Sequence, residues 1–210
     1  MTLQLKKSIM KRSREQKLEH FYSLCPQTSK VLDVGVFGEK RMSNPVLNYF
    51  LKTFRYPSQN YTGLSIRDLS QMDRLFPGKR FVQYSGGTFP FGDKEFDWVF
   101  SNAVIEHVGT DAAQLKFVNE MLRVARNVFF TTPYKYFPIE THTNMLLLHW
   151  NDRWFFHWCA KNRGRLNRNL NLLSGGQLKS IMNRSDAADY RIRKNRILGL
   201  TMTFTVVCSQ

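Results

Sequence analysis

The chain has 210 residues, 42 % of them hydrophobic, and its 31 Lys/Arg against 16 Asp/Glu leave a formal net charge of +15. That length fits one domain able to bury a sizeable core, and the apolar content is that of ordinary soluble proteins rather than disordered or fibrous ones. No apolar run reaches the roughly 18 residues of a membrane-spanning helix, and the basic N-terminus lacks the apolar stretch of a secretory signal.

In chain order, residues 4–24 read as a basic amphipathic helix with Leu5, Ile9, Leu18, Phe21 and Tyr22 as its apolar positions. Pro26 and Ser29 break the chain before a short buried strand, Val31–Val34, which Gly35 ends. Asn44–Phe54 reads as a helix, Tyr61–Ile66 as a second strand, and Leu69–Phe76 as a short helix closed by Pro77 and Gly78. Phe81–Tyr84 is a third strand. Phe96–Ser101 is a fourth, apolar enough to be covered on both faces. Asp111–Ala125 reads as a helix with Leu115, Val118, Met121 and Leu122 turned inward, and Asn127–Thr132 as a fifth strand stopped by Pro133. Tyr190–Leu198 and Thr201–Cys208, with Gly199 between them, are too close for a crossover helix and should pair antiparallel. Strands alternating with helices imply a parallel sheet covered on both sides. The expected fold is therefore an α/β, Rossmann-like three-layer sandwich, with a mostly parallel seven-stranded sheet ending in an antiparallel hairpin.

The charge is unevenly placed. Residues 1–30 hold seven basic against two acidic residues and residues 153–196 eleven against two, whereas 31–152 hold thirteen against twelve. Two basic flanks around a near-neutral centre either make a solvated face or attract an anion: nucleic acid, acidic lipid or a phosphorylated substrate. Cys25, Cys159 and Cys208 form no CxxC pair, which suggests reduced thiols, a cytoplasmic protein and no metal framework.

Two stretches carry chemistry. Val31-Leu32-Asp33-Val34-Gly35-Val36-Phe37-Gly38 is a strand ending in an acid and a glycine turn, which lets backbone approach a nucleoside ligand; a helix starting there would offer free N–H groups. The more specific stretch runs from Phe89-Pro90-Phe91-Gly92-Asp93 through Phe96-Asp97-Trp98-Val99 to Ser101-Asn102-Ala103-Val104-Ile105-Glu106-His107. It resembles the type 11 small-molecule methyltransferases of the class I, S-adenosylmethionine-dependent family. The resemblance covers about residues 29–143, and Thr131–Thr143 resembles a subgroup associated with surface-sugar and lipid-linked pathways.

The resemblance implies a single methyltransferase-like domain over 1–210, with a basic N-terminal helix in 1–28 and an aromatic, basic, lid-like insertion in 144–185. It implies S-adenosylmethionine as cofactor. Asp33, Gly35, Val36 and Gly38 match the positions near its methionine portion. Ser65 and Ile66 fall at the ribose, Ser85, Gly86 and Gly87 near the adenine, and Ser101, Asn102 and Ala103 beside the transferred methyl. Phe37 and Glu39 stand where glycines are usual, and Ser65 and Ser85 where acids are usual. Replacing a carboxylate–diol contact by a hydroxyl costs on the order of 1–3 kcal/mol, unless Asp68 bends back to substitute.

Methyl transfer is mainly a matter of positioning, but an oxygen acceptor also needs a base. His142, with Glu140 to orient it, and His107 are the candidates, each also readable as structural. Leu146–Arg168 mixes Trp150, Trp154, Phe155, Phe156 and Trp158 with Arg153, Lys161, Arg163, Arg165 and Arg168. It reads as a core-covering helix or as a lid at a membrane surface. His149 and His157 lack partners at metal-ligand spacing, so no metal is expected. The acceptor is expected to be a small molecule or a lipid- or sugar-linked one. An anionic membrane surface is a second partner, with peripheral attachment at the inner face. Nucleic acid is less favoured because no Asn/Asp-Pro-Pro-aromatic motif follows the fourth strand. A non-catalytic binding protein on the same fold stays open.

Overall fold

The computed structural model describes residues 3–44, 47–140, 143, 145–162 and 170–210, with residues 3–10 described by their backbone. Seven strands form one sheet in the order β3-β2-β1-β4-β5-β7-β6. They are β1 Val31–Val34, β2 Tyr61–Ser65, β3 Arg80–Gln83, β4 Phe96–Asn102, β5 Ala125–Pro133, β6 Asp189–Ile197 and β7 Leu200–Ser209. The first five pair parallel and β7 pairs antiparallel with both β5 and β6, so the expected architecture and hairpin are observed. The central strands β1 and β2 are buried along their whole length, as strands covered on both faces must be.

One face is covered by α4 (Asp111–Val124) and α6 (Gly175–Arg184). Val118, Met121 and Leu122 from α4 and Leu178, Ile181 and Met182 from α6 share a core with Val99, Phe130 and Val206, and Leu115 packs at its margin. Both helices start on a side-chain cap, Thr110 for α4 and a reciprocal Ser174/Gln177 capping box for α6. Because α6 packs on the sheet, it belongs to the helical layer, and the segment above the sheet edge ends before Ser174 rather than running through 144–185.

The other face is held mainly by α1 (Leu3–Leu24). Phe21 is fully buried, and its ring meets those of Tyr22, Phe50, Trp98, Phe100 and Phe129 edge-on at 5.2–5.7 Å. Such contacts add about 0.5–1.5 kcal/mol each beyond area burial. Chain connectivity sets the direction of α1. It ends near Cys25, just before β1 begins, so it runs antiparallel to β1 and carries its N-terminal half toward the carboxyl edge of the sheet.

The helix expected over Asn44–Phe54 is reduced to one turn, α2 (Tyr49–Lys52). Asn48 adopts a left-handed backbone (φ 53°), and its amide exchanges two hydrogen bonds with the Phe37 backbone. Lys52 Nζ donates to the Met42 and Asn44 carbonyls. Side chains thus satisfy backbone groups that a helix would have paired internally. A short helix, α3 (Met72–Leu75), precedes β3, and α5 (Asp152–Asn162) follows β5.

Phe21→Ala should cost about 3–5 kcal/mol in urea denaturation. A loss below about 1 kcal/mol would show that α1 is not anchored through this ring.

Candidate functional site

The carboxyl ends of β1, β2, β4 and β5 meet at one edge, where ligands bind in open α/β sheets. At the end of β1, Gly35 has φ +101°, and a Cβ there would fall 2.3 Å from Val104 Cγ2. Glycine is therefore demanded both by the backbone and by the approach of the β4 loop. The Gly35 and Val36 N–H groups donate to the Leu64 carbonyl at 2.8 and 3.4 Å, and the Val36 side chain is buried in the core under α1. The Val36 side chain thus belongs to the core. A Cβ on Gly38 would lie 2.1 Å from the Asp68 carbonyl oxygen, so the loops after β1 and β2 touch. Instead of a helix offering free N–H groups, a single 3-10 turn, Glu39–Arg41, follows. The Phe37 ring lies under the Arg67 guanidinium at 4.6 Å.

Asp33 is buried and accepts a hydrogen bond from the Tyr61 hydroxyl at 2.5 Å. Burial pushes its carboxyl up to about 7, the Tyr61 bond opposing the rise. Ser65 is also buried, and its Oγ accepts from the Arg67 N–H at 3.1 Å, whereas Ile66 is exposed. Asp68 Oδ1 accepts from the Ser70 N–H at 2.9 Å. Its carboxylate is thus committed to a local turn rather than taking the place of the missing acid. Ser85, Gly86 and Gly87 are exposed, and both glycines have positive φ with open space where a Cβ would be. Ser101 is buried and donates to the Val34 carbonyl, and Asn102 Oδ1 accepts from Thr131 Oγ1 at 2.8 Å. Ala103, at φ +59°, donates its N–H to the Thr131 carbonyl at 2.9 Å. A left-handed alanine is costly; here it turns the chain sharply at the end of β4.

The histidine candidates separate. His107 is exposed on a 3-10 turn, Ile105–His107. Its neighbour Glu106 is fully buried and accepts from Thr132 Oγ1 at 3.2 Å. Glu140 is buried, and its Oε2 accepts both the N–H and the hydroxyl of Thr143, at 2.5 and 2.7 Å. His142 lies outside the described residues, as do Arg163, Arg165 and Arg168. His149 is buried, with Nε2 2.8 Å from the Phe137 carbonyl, and desolvation holds its pKa below the usual histidine value. A small cavity between Tyr134, Glu140, His149 and Met202 adjoins it. Among the described residues no His/Cys/Asp/Glu cluster suited to a metal occurs, and the three cysteines are free and buried.

Two site features were not anticipated from sequence. One is the Tyr61–Asp33 bond, whose two ends are 28 residues apart. The other is Lys17, one turn before Phe21 on the inner side of α1, which is buried to 7 % exposure. Desolvation, aided by the Arg14 charge and opposed by Glu106, pushes its ammonium down to about 7. Lys17 shares a helix face with Phe21 four residues on, but a lysine in a basic helix reads as solvated, so spacing alone did not mark it.

Beyond β5, Phe155 and Cys159 of α5 form a separate cluster with Leu170 and Leu172. Tyr136, Leu146, Leu147, Trp150 and Trp154 are exposed, as are Leu198 and Leu200 at the β6–β7 turn. No helix among the described residues is long and apolar enough to cross a membrane.

Because the folded-state pKa of Asp33 is raised, its stabilising contribution is full below its ordinary value of 3.8 and disappears as pH rises through about 7. Asp33→Asn, which can still accept from Tyr61, should flatten the pH dependence of denaturation free energy between pH 4 and 7. It should gain stability over wild type as pH rises, by at most about 1.4 kcal/mol per unit. Parallel curves for the two proteins would show that Asp33 titrates normally.

Residues 33–128 match the family described as "Methyltransferase domain". No curated protein sequence matches the chain. Solved structures do. A protein described as a SAM-dependent methyltransferase from Methanosarcina mazei is 14 % identical with a TM-score of 0.58, over 90 % of this chain and 96 % of that one. An S-adenosylmethionine-dependent methyltransferase from Mesorhizobium loti is 12 % identical with a TM-score of 0.60, over 91 % and 96 %. The N-terminal domain of EvdMO1, solved with SAH bound, is 13 % identical with a TM-score of 0.54, over 95 % and 80 %. On the shared strand order and these structural likenesses, the chain has the fold of the class I, S-adenosylmethionine-dependent methyltransferases, and its residues 33–128 are similar to the methyltransferase-domain family.

Proposed function

We propose that the chain is an S-adenosylmethionine-dependent methyltransferase acting on a lipid- or sugar-linked acceptor at an anionic membrane surface. The carrying observation is that Asp33, the Gly35 turn, Ser65 and Ser101–Ala103, from the ends of the three strands β1, β2 and β4, stand at one sheet edge inside the matched segment. The residues fit the cofactor: a buried carboxyl at Asp33 suits its amino group, and the open backbone at Gly86 and Gly87 leaves room at the nucleoside end. When bound, the sulfonium supplies an electrophilic methyl; the chain supplies placement and proton transfer.

Asn102, held by Thr131, and the turned Ala103 shape the edge nearest the reacting centre. We place the base at His142, with Glu140 as a positioning residue through its bonds to Thr143. The exposed aromatics Trp150 and Trp154 and the basic residues Arg153 and Lys161 of the same segment suit a headgroup layer. A non-catalytic relative is the second reading. It is favoured by the serines at 65 and 85 and by the contact of Gly38 with Asp68.

Calorimetry with S-adenosylhomocysteine should show binding; no heat at millimolar ligand selects the non-catalytic reading. His142→Ala should lower turnover by about 100-fold or more with unchanged cofactor binding, and unchanged turnover removes His142 as base. Trp150→Ser with Trp154→Ser should abolish co-sedimentation with vesicles containing phosphatidylglycerol, and retained sedimentation removes this segment as the membrane contact.

A further inference from the structure

Between α1 and the edge strand β6 lies an open groove of about 620 Å³. Four basic side chains line it: Arg12 from α1 and Arg193, Lys194 and Arg196 from β6. None of the four is ion-paired among the described residues. The two acids on the same wall have cations or donors of their own. Glu15 accepts from the Tyr49 hydroxyl at 3.1 Å and pairs with Lys11, and Glu19 is bound by both terminal nitrogens of Arg55. The groove therefore keeps a net positive potential that its own carboxylates do not cancel.

Strand register connects this groove to the candidate site. Asn102 pairs with Thr131, Thr131 with Thr205, and Thr205 with Arg193, so one row crosses β4, β5, β7 and β6 on a single face. Asn195 Nδ2, next to that row, donates to both Thr203 and Thr205 hydroxyls at 3.0 and 2.8 Å. The row below is apolar on β4, β5 and β7, with Phe100, Phe129 and Val207, the first two in contact with Phe21, and ends on the exposed Arg191 of β6. α1 makes the same change, from Phe21 to Lys17 to Ser13, all buried. Both walls turn polar at the level of Asn102, the residue placed beside the reacting centre. Because β6 runs parallel to β5, its basic C-terminal half lies at that same carboxyl edge.

We infer that the groove between α1 and β6 is the acceptor's approach to the site and that the acceptor carries phosphate, held by Arg193 and Arg196 of β6 with Arg12 of α1. Phosphate fits because guanidinium groups grip its oxygens bidentately. This inference rests on the methyltransferase reading and names the substrate class for that site.

The test uses the full chain and inorganic pyrophosphate, followed by calorimetry at low salt. Arg193→Gln with Arg196→Gln should weaken binding by about tenfold or more, the loss expected of one or two charge-assisted bonds. Both side chains are exposed, so melting should not change. Lys116→Gln with Lys179→Gln on α4 and α6, an equal loss of charge on the opposite face of the sheet, should leave binding within about twofold, as expected of charges beyond screening range. Equal weakening in both variants, or none in the first, overturns the proposal. Vesicles containing phosphatidic acid distinguish the sources. Weakened binding to both probes supports a phosphate group from either source, and weakened pyrophosphate binding with vesicle binding unchanged supports a soluble phosphate compound. S-adenosylhomocysteine binding, measured on the same samples, should be unaffected. Its absence from wild type with the pyrophosphate site intact overturns the acceptor role and the methyltransferase reading while leaving an anion site.

Discussion

The packing of Phe21 against the sheet determines where the rest of this site can be. Its ring meets Trp98 and Phe100 of β4 and Phe129 of β5, so the helix axis is pinned over the centre of the sheet. At 1.5 Å per residue and 3.6 residues per turn, pinning one residue of a rigid helix fixes the others. Lys17 must then lie about 6 Å further toward the carboxyl edge, and Ser13 about 12 Å further. No sequence signal at Lys17 or Ser13 is needed to bring them to the edge; an aromatic one turn away does it. The same anchoring compensates for the shortened α2, since a single helical turn covers little of β1 and β2.

A lysine at 7 % exposure is an expensive residue to place over a sheet. The sheet beneath meets that cost where it arises. Phe129 and Val207 give way to Thr131 and Thr205 in the next inward-facing positions, and Asn102 and Asn195 bond those threonine hydroxyls or their neighbours. The polar row and the buried lysine lie at the same level of the sheet.

Much of this was legible in the sequence because it depends on period and spacing. Strand β4 and helix α4 show themselves as an apolar run and a 3.6-residue stripe. The hairpin is legible because only Leu198 and Gly199 separate β6 from β7. The Asn44–Phe54 helix was not, because what prevents it is a side chain exchanging bonds with Phe37 eleven residues away. The surroundings of Val36 were illegible for a related reason. Position puts it at the glycine turn, but the packing of its side chain in the core and the bond of its N–H to the Leu64 carbonyl depend on distant residues. Lys17 was invisible as a site residue because a lysine in a basic helix reads as solvated, and burial is decided by strands more than eighty residues later.

Asp33 and Lys17 together give the edge its electrostatic character. Each is buried, and in each desolvation moves the pKa toward neutrality, the acid upward and the base downward, to about 7 in both cases. Near neutral pH both groups therefore stand at the point where a small change in surroundings decides their charge. A cation arriving beside Asp33 would favour its carboxylate, and an anion arriving beside Lys17 would favour its ammonium. Their neutral forms let an empty low-dielectric site exist without the several kcal/mol that two permanent buried charges would cost. An edge lined by permanent carboxylates, as the family usually has at the positions of Ser65 and Ser85, binds a cofactor more strongly but cannot be this nearly neutral when empty. The substitution of hydroxyls there and the neutral poise of Asp33 and Lys17 are thus consistent parts of one weakly charged cleft, fed from a strongly basic groove.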